Sequence, residues 1–208
     1  MSVSYPILVD LAGRPTVVAG GGRVAERKVR GLLAAGATVR LVSPEVTPGL
    51  AGLAARNQIV VEARPWRRGD LAGAVLAVAA TDDPAVNAGV TEEGRSAGVL
   101  VNRVDEPDSG GFTVPAVLRR GDLTVAVATS GRTPGLAGAL RRRLEEVFGP
   151  EWAELVELFA ADRGSLPRAA DQAAWDGLLG PDVLEAVRRG QPAVVRERIR
   201  ACRSSSSA

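Results

Sequence analysis

TVVAGGGRVA, residues 16–25, is the stretch that decides the fold of this 208-residue chain. Its first four residues are β-branched or small and apolar, which predicts a short buried strand. Gly20, Gly22 and Ala25 then form the pattern GxGxxA, and an amphipathic helical pattern follows directly. A strand, a glycine turn and a helix in this order predict the first unit of a parallel βαβ arrangement.

The same alternation of β-branched runs with Ala- and Leu-rich segments continues as far as residue 102. The predicted strands are Thr16–Ala19, Thr38–Ser43, Ile59–Ala63, Val75–Ala79 and Val99–Asn102, and the helices are Val24–Ala35, Pro48–Arg56 and Pro84–Ala97. The strand runs are apolar at consecutive positions, so we expect helices on both faces of the sheet. The fold class is therefore α/β, with a Rossmann-like parallel sheet.

The composition after residue 102 predicts where the first domain ends and how the remaining residues are organised. Pro107 and the pair Gly110-Gly111 break the alternation, so we predict that the first domain spans residues 1–112. Residues 113–148 form a small α+β region, with a strand at Leu123–Ala128 and a helix at Gly135–Phe148. Residues 149–202 are predicted to be a helical C-terminal domain, with helices near Glu151–Ala161, Ala169–Leu179, Pro181–Arg189 and Pro192–Arg200. The serine-rich tail, residues 203–208, is predicted to be disordered.

The glycine turn predicts a dinucleotide site. Gly20 permits a tight turn, Gly22 allows the backbone to approach a pyrophosphate, and Ala25 lets the helix pack closely on the strand. The first helical N–H groups, at Arg23 and Val24, would face the phosphates. The alternative is a purely structural glycine turn. The pattern GxGxxA without its flanking strand and helix would not distinguish a dinucleotide site from such a turn.

The end of the second predicted strand lacks the acid that usually holds the adenosine ribose. It reads Ser43-Pro44-Glu45, in which Glu45 comes slightly late for that role. The ribose would then be held by the Ser43 side chain or by backbone at Pro44 and Glu45. No arginine follows this strand to meet a 2′-phosphate, so we predict NAD as the cofactor.

Composition excludes several classes of site. The chain has no histidine, which rules out a histidine-based triad or a zinc site with histidine ligands, and we predict no metal-binding residues. A net charge of +2 and 3% aromatic residues give no support to nucleic-acid binding. The single cysteine indicates a reducing compartment, and no segment has the length of an apolar membrane span. We therefore expect a cytoplasmic protein with no membrane partner.

Six motifs in a fixed order identify a family. They are Tyr5-Pro6, GGGRVAERK at 20–28, AATDD at 79–83, VNRVD at 101–105, FTVPA at 112–116 and ATSGRTP at 128–134. In these motifs the chain resembles the precorrin-2 dehydrogenases of sirohaem synthesis and the N-terminal part of sirohaem synthases. The match covers roughly Tyr5 to Phe148.

The resemblance implies an NAD-dependent oxidation of the tetrapyrrole precorrin-2 to sirohydrochlorin, by a homodimer formed through residues 113–148. It assigns catalysis to Asp105, and it assigns tetrapyrrole binding to the turn that contains Thr129, Ser130, Arg132 and Thr133. Some members also insert Fe(II), which makes a bifunctional dehydrogenase and chelatase one alternative. A protein that binds NAD or tetrapyrrole without catalysis is another.

For individual polar residues the sequence leaves two readings open. Asp105 follows a parallel strand and could accept the proton released in the oxidation, or it could be a turn-forming acid before Pro107. Asn102 could contact the nicotinamide or simply end its strand. Thr81 could contact the cofactor or cap the next helix. Thr129 and Ser130 could likewise cap a helix or bind substrate carboxylates.

Overall fold

A computed structural model describes residues 4–167 and 171–205, which form two compact units that divide between Val114 and Pro115. The predicted end of the first domain, at residue 112, lies two residues before this division. Each unit has a hydrophobic core of its own.

The first unit is a five-stranded parallel sheet with helices on both faces, as predicted. Its strands are β1 Pro15–Ala19, β2 Thr38–Val42, β3 Ile59–Glu62, β4 Leu76–Ala79 and β5 Leu100–Arg103, and its helices are α1 Arg23–Ala34, α2 Pro48–Ala55 and α3 Pro84–Ala97. The strand order is β3-β2-β1-β4-β5. The order reverses between β1 and β4, and such a switch point is where ligands bind in open α/β sheets.

Two apolar layers pack on opposite faces of this sheet. Buried Ala25 and Val29 of α1 belong to one layer, and buried Val90 of α3 belongs to the other. Because α1 follows β1 on one face and α3 follows β4 on the other, their N-termini flank the carboxyl ends of these adjacent strands. A ligand bound at this edge would therefore have a helix start on either side.

Between β3 and β4 the chain forms a loop of turns where a doubly wound fold usually has a helix. Asp70, which is 7% exposed, accepts hydrogen bonds from the Arg64 guanidinium at 2.7 and 2.8 Å and from the Arg67 N–H at 2.8 Å. Buried Glu93 of α3 accepts the N–H groups of Gly69 and Leu71 at 3.0 and 2.9 Å. These two carboxylates satisfy backbone donors that a helix would have satisfied internally.

The second unit begins with an antiparallel hairpin, β6 Ala116–Arg120 and β7 Leu123–Val127. Only the second of these strands was predicted from the sequence, because Arg119 and Arg120 interrupt the apolar pattern of the first. The helices are α4 Pro134–Val147, α5 Glu151–Ala161, α6 Gln172–Leu178, α7 Pro181–Arg188 and α8 Pro192–Ser205, and short 3₁₀ turns occur at Pro107–Ser109 in the first unit and Arg163–Ser165 in the second.

The C-terminal helices pack around the buried side chains of Leu155, Leu178 and Ile199. Helix α8 continues through Ser205, so the first three residues of the predicted disordered tail are helical, and residues 206–208 lie outside the described part. The start of the predicted helix Ala169–Leu179 also lies outside it. Within the described residues, no helix is both long enough and apolar enough to cross a membrane.

Candidate functional site

The first glycine of the turn meets the backbone that leaves β4. Gly20 has a φ of +114°, and a Cβ at this position would lie 2.2 Å from the carbonyl oxygen of Ala80. Its N–H donates to the carbonyl of Val42 at 3.0 Å. Only glycine combines this dihedral angle with such a close approach, so Gly20 places the turn directly against the ends of β2 and β4.

Gly21, to which the sequence analysis gave no role, is enclosed by the loop after β2. A Cβ here would lie 1.9 Å from the carbonyl oxygen of Glu45 and 2.7 Å from Ser43 Oγ. Its own carbonyl accepts the N–H of Thr47 at 3.0 Å. The only signal in the sequence was that Gly21 is the middle one of three consecutive glycines, since the loop that encloses it is more than twenty residues away along the chain.

Gly22 faces open space. No heavy atom lies within 4 Å of a Cβ built on it, and it is the N-cap of α1 without a side chain to accept a hydrogen bond. The first N–H groups of α1, including those of Arg23 and Val24, therefore have no capping side chain. Arg23 and Val24 are exposed, and Arg23 lines a surface depression with Glu26, Arg27 and Arg30.

The loop after β2 is held by a hydrogen bond between two of its own residues. Ser43 is 8% exposed and its hydroxyl donates to the carbonyl of Glu45 at 2.7 Å, whereas Pro44 and Glu45 are exposed. Ser43 is a predicted ribose contact, and its hydroxyl proton is thus donated to an acceptor within the same loop. Pro44 and Glu45 are the predicted ribose contacts that the structure leaves accessible.

Glu26, in the first turn of α1, is directed toward α2. Its carboxylate accepts hydrogen bonds from the Thr47 hydroxyl at 2.5 Å and from Arg30 at 2.6 Å. These bonds, the one from Thr47 most of all, hold the pKa of the Glu26 carboxyl below its usual range. The motif GGGRVAERK therefore contributes its glutamate to the contact between α1 and α2.

Thr81 follows the end of β4 and is held by Asn87, a side chain that the sequence analysis missed. Asn87 is 1% exposed, and its amide accepts the Thr81 N–H at 3.0 Å and donates to the Thr81 carbonyl at 3.0 Å. The N-cap of α3 is Asp83, whose carboxylate accepts the N–H of Ala85 at 2.8 Å. Thr81 is therefore not the cap, and its hydroxyl bonds to the Asp83 carbonyl and to Asn87 Oδ1.

Asp105 lies two residues beyond β5, at the same sheet edge as the glycine turn. Both of its oxygens are held by Arg103, with Nε to Oδ1 at 3.2 Å and Nη2 to Oδ2 at 3.0 Å. The Asn87 amide donates to Oδ1 at 3.0 Å. The Arg103 guanidinium holds the pKa of the Asp105 carboxyl below its usual range, and the Asn87 bond acts in the same direction.

Asn102 carries a buried polar atom without a partner. The residue is 4% exposed; its Nδ2 donates to the Phe112 carbonyl at 3.0 Å, and its Oδ1 is not bonded by any part of the chain that the structure describes. An unpaired buried amide oxygen is costly unless a ligand or ordered water bonds it. Asn102 is thus a candidate for ligand contact, and it does not end its strand, because β5 continues through Arg103.

The predicted substrate residues lie in the second unit, in the turn between β7 and α4. Ser130 and Gly131 have φ of +49° and +75°, and the Arg132 N–H donates to the Thr129 carbonyl at 3.0 Å. The Thr129 hydroxyl accepts the Thr133 N–H at 3.3 Å. Thr133 is the N-cap of α4 and makes no side-chain capping bond, so neither Thr129 nor Ser130 occupies the capping position.

Taken together, the first unit contains the predicted cofactor residues and Asp105, and the second contains the predicted substrate residues. In residues 4–167 and 171–205 no three His, Cys, Asp or Glu side chains form a group that could hold a metal ion.

Comparisons with known proteins show which proteins the chain is similar to. A family described as "Putative NAD(P)-binding" matches residues 7–116, more than half of the chain. The "Siroheme synthase" of Chromobacterium violaceum is 37% identical over 199 residues, which cover 92% of this chain and 42% of that protein. "Siroheme synthase 2" of Aeromonas salmonicida is 44% identical over 153 residues, covering 74% of this chain and 32% of that protein.

The chain thus spans less than half the length of these curated relatives. Among solved structures, "SirC, precorrin-2 dehydrogenase" has a TM-score of 0.74 and 23% identity, and the match covers 94% of this chain and 98% of that one. At this identity the structural match shows a shared fold. The Rossmann-like prediction and the similarity to sirohaem synthases are confirmed.

Proposed function

The chain belongs to this NAD(P)-binding family, and from its similarity to sirohaem synthases we propose that it is an NAD-dependent dehydrogenase that oxidises precorrin-2 to sirohydrochlorin. The observation that carries the proposal is the Asp105 carboxylate, which lies at the same sheet edge as an open, uncapped glycine turn. A carboxylate beside a dinucleotide site is suited to a reaction that releases both a hydride and a proton.

The residues at this edge fit a bound dinucleotide. The open space at Gly22 and the uncapped start of α1 would receive the pyrophosphate, with N–H groups of Arg23 and Val24 as donors. Exposed Pro44 and Glu45 would lie at the adenosine ribose. The unpaired Oδ1 of Asn102 would accept a hydrogen bond from the nicotinamide amide, and Thr81 would border the same end.

NAD supplies an acceptor for the hydride at its nicotinamide ring. The chain supplies the base: Asp105 takes the proton that leaves the macrocycle when the hydride departs. Asp105 is ionised at neutral pH, as a proton acceptor must be, because an aspartate carboxyl titrates well below pH 7 and the Arg103 ion pair lowers its pKa further. The ion pair with Arg103 also keeps the carboxylate in one orientation.

For the substrate we propose the β7–α4 turn of the second unit as the binding segment. Precorrin-2 carries acetate and propionate groups, and exposed Arg132 offers a guanidinium to such carboxylates. The hydroxyls of Ser130 and Thr133 would add hydrogen bonds. The single cysteine, Cys202, fits a reducing compartment, and we place the reaction in the cytoplasm.

The direct test supplies enzymatically generated precorrin-2 with NAD and follows the NADH absorbance band. We expect NADH to form in proportion to sirohydrochlorin, and to form more slowly when NADP replaces NAD. A reaction without protein corrects for spontaneous oxidation of the substrate. Tight binding of NAD and precorrin-2 without NADH formation would instead identify a non-catalytic binding protein.

We also propose a homodimer formed through residues 113–148. Leu136, Leu140 and Val147 are 52%, 40% and 63% exposed, and their spacing of four and seven residues places them on one face of α4. An exposed apolar stripe on a helix is typical of a protein interface. A second copy of this chain would cover it.

We expect the double variant Leu136→Glu, Val147→Glu to sediment as a monomer at concentrations where the natural chain is a dimer, because both charges would be buried at the interface. Both side chains are more than half exposed in the protomer, so its unfolding temperature should change little. Val60→Glu, at a 63% exposed position on β3, is the matched control and should remain dimeric. A double variant that stays dimeric would place the interface elsewhere.

A further inference from the structure

The Asn87 amide bonds to two segments at the sheet edge that are far apart in sequence, one at Thr81 and one at Asp105. Its Oδ1 accepts from the Thr81 N–H and hydroxyl at 3.0 and 2.8 Å, and its Nδ2 donates to the Thr81 carbonyl and to Asp105 Oδ1, both at 3.0 Å. The side chain is 1% exposed and all of its bonds go to these two residues. A primary amide can do this because it carries both donors and an acceptor.

Thr81 in turn adjoins the cofactor turn. The preceding residue, Ala80, donates its N–H to the Ala19 carbonyl at 2.8 Å, and its own carbonyl lies against Gly20. Because Asn87 holds both backbone groups of Thr81, it fixes this segment relative to the end of β1. The same amide therefore bonds to the base at one end and to the border of the dinucleotide turn at the other.

We propose that Asn87 is a positioning residue that fixes the Asp105 carboxylate relative to the dinucleotide turn. The proposal rests on the dehydrogenase function proposed above and adds a residue that the motifs did not identify. Arg103 approaches Asp105 from its own strand, whereas Asn87 approaches from α3, so two elements together determine the carboxylate plane. A base that is held from two sides is kept in the geometry its reaction needs.

Few charged groups surround Asp105. Arg103 faces it directly, and Glu106 acts through Arg103, with its carboxylate 2.8 Å from Arg103 Nη1. Asn87 is the uncharged donor from α3. Loss of the Asn87 bond leaves the Arg103 pair in place, so the pKa of Asp105 should rise, but by less than it would on loss of Arg103, the larger cause of the lowering.

The test compares Asn87→Ala and Asn87→Asp in the full chain. Asn87→Ala removes every bond, whereas Asn87→Asp keeps an acceptor for Thr81 but puts a second carboxylate against Asp105. We expect kcat at neutral pH to fall about tenfold in both, with a smaller change in KM for NAD. Titration of the Asp105 carboxyl by ¹³C NMR, from about pH 3 to about pH 7, should show a raised pKa in both variants.

The larger rise is expected in Asn87→Asp, because like charges disfavour ionisation. The Asp105 resonance is assigned as the one that Asp105→Asn lacks. Should Asn87→Ala fail to fold, the Asp105 titration in Asn87→Asp tests the positioning role.

Thr91→Val is the matched control. Thr91 is a buried polar residue one turn further along α3, and its hydroxyl donates to the Asn87 carbonyl at 2.8 Å without contacting Asp105. We expect the Asp105 pKa to be unchanged in this variant. An unshifted carboxyl titration in both Asn87 variants, or an equal shift in Thr91→Val, would overturn the proposal.

The two proposals can fail separately. A natural chain that forms no NADH refutes the dehydrogenase function, and the carboxyl titration still reports whether Asn87 holds Asp105. Normal turnover in Asn87 variants whose titration is unshifted refutes the positioning role alone.

Discussion

Replacing Gly22 by valine will weaken NAD binding about 100-fold, equivalent to about 2.7 kcal/mol of binding free energy, and will leave the unfolding temperature of the free protein nearly unchanged. The position has a φ of −78° and ψ of −176°, which valine adopts readily, and apart from the adjoining residues nothing lies within 4 Å of a Cβ built there. The side chain would instead fill the space that a pyrophosphate needs to reach the first N–H groups of α1. Calorimetric titration with NAD, together with thermal unfolding without ligand, measures both quantities.

Two other glycines of this segment serve as controls. Gly31, later in α1, also has nothing within 4 Å of a built Cβ, and Gly31→Ala should bind NAD normally. Gly21→Ala should lower the unfolding temperature, because its Cβ would lie 1.9 Å from the Glu45 carbonyl oxygen and force the backbone apart. If Gly22→Val bound NAD with full affinity, the turn would be structural and the dinucleotide would bind elsewhere.

Asp105→Asn will lower kcat for precorrin-2 oxidation by about 100-fold or more, within the range that a general base contributes, and will leave KM for NAD nearly unchanged. Asparagine has the same shape and can still accept a hydrogen bond from the Asn87 amide, but it cannot take a proton. Arg103 keeps its ion pair with Glu106 in this variant, so its charge is not left unpaired. Steady-state rates at the NADH band give both parameters.

The matched control for this variant is Asp108→Asn. Asp108 is an exposed acid three residues further along the same turn. If Asp105 were merely a turn-forming acid, the two substitutions would have similarly small effects on kcat. We expect Asp108→Asn to keep the natural rate, and full activity in Asp105→Asn would assign the proton to another acceptor.

Local sequence was sufficient wherever one segment specified its own structure. The pattern from Thr16 to Ala25 predicted a strand, a turn and a helix because the apolar period and the glycines act within ten residues. The predicted helix Pro84–Ala97 has the same bounds in the structure, where Asp83 is its N-cap. The strand β6 was missed because the charged residues Arg119 and Arg120 do not fit an apolar strand pattern. They belong to the strand because they pair with residues of β7.

The roles of single polar residues were harder to predict, because they depend on partners that are distant in sequence. Ser43 remains a predicted ribose contact, but the sequence could not show that its hydroxyl donates to the Glu45 carbonyl in the folded loop. Gly21 gained a role only when the loop after β2 closed over it. Asn87 is an unremarkable polar residue in a helical sequence, and only the strand order brings it to Asp105, eighteen residues further along.

The parallel sheet, the glycine turn before the first helix and the candidate carboxylate at Asp105 could all be predicted from the sequence, because strand periodicity, glycine conformation and the order of motifs are local properties of the chain. How that edge is held depends on contacts between segments that are distant in sequence. The approach of β4 to Gly20, the loop enclosing Gly21, and the Asn87 bonds between Thr81 and Asp105 arise from the packing of α3 on one face and α1 on the other. Such contacts form only when the strand order brings separate segments together.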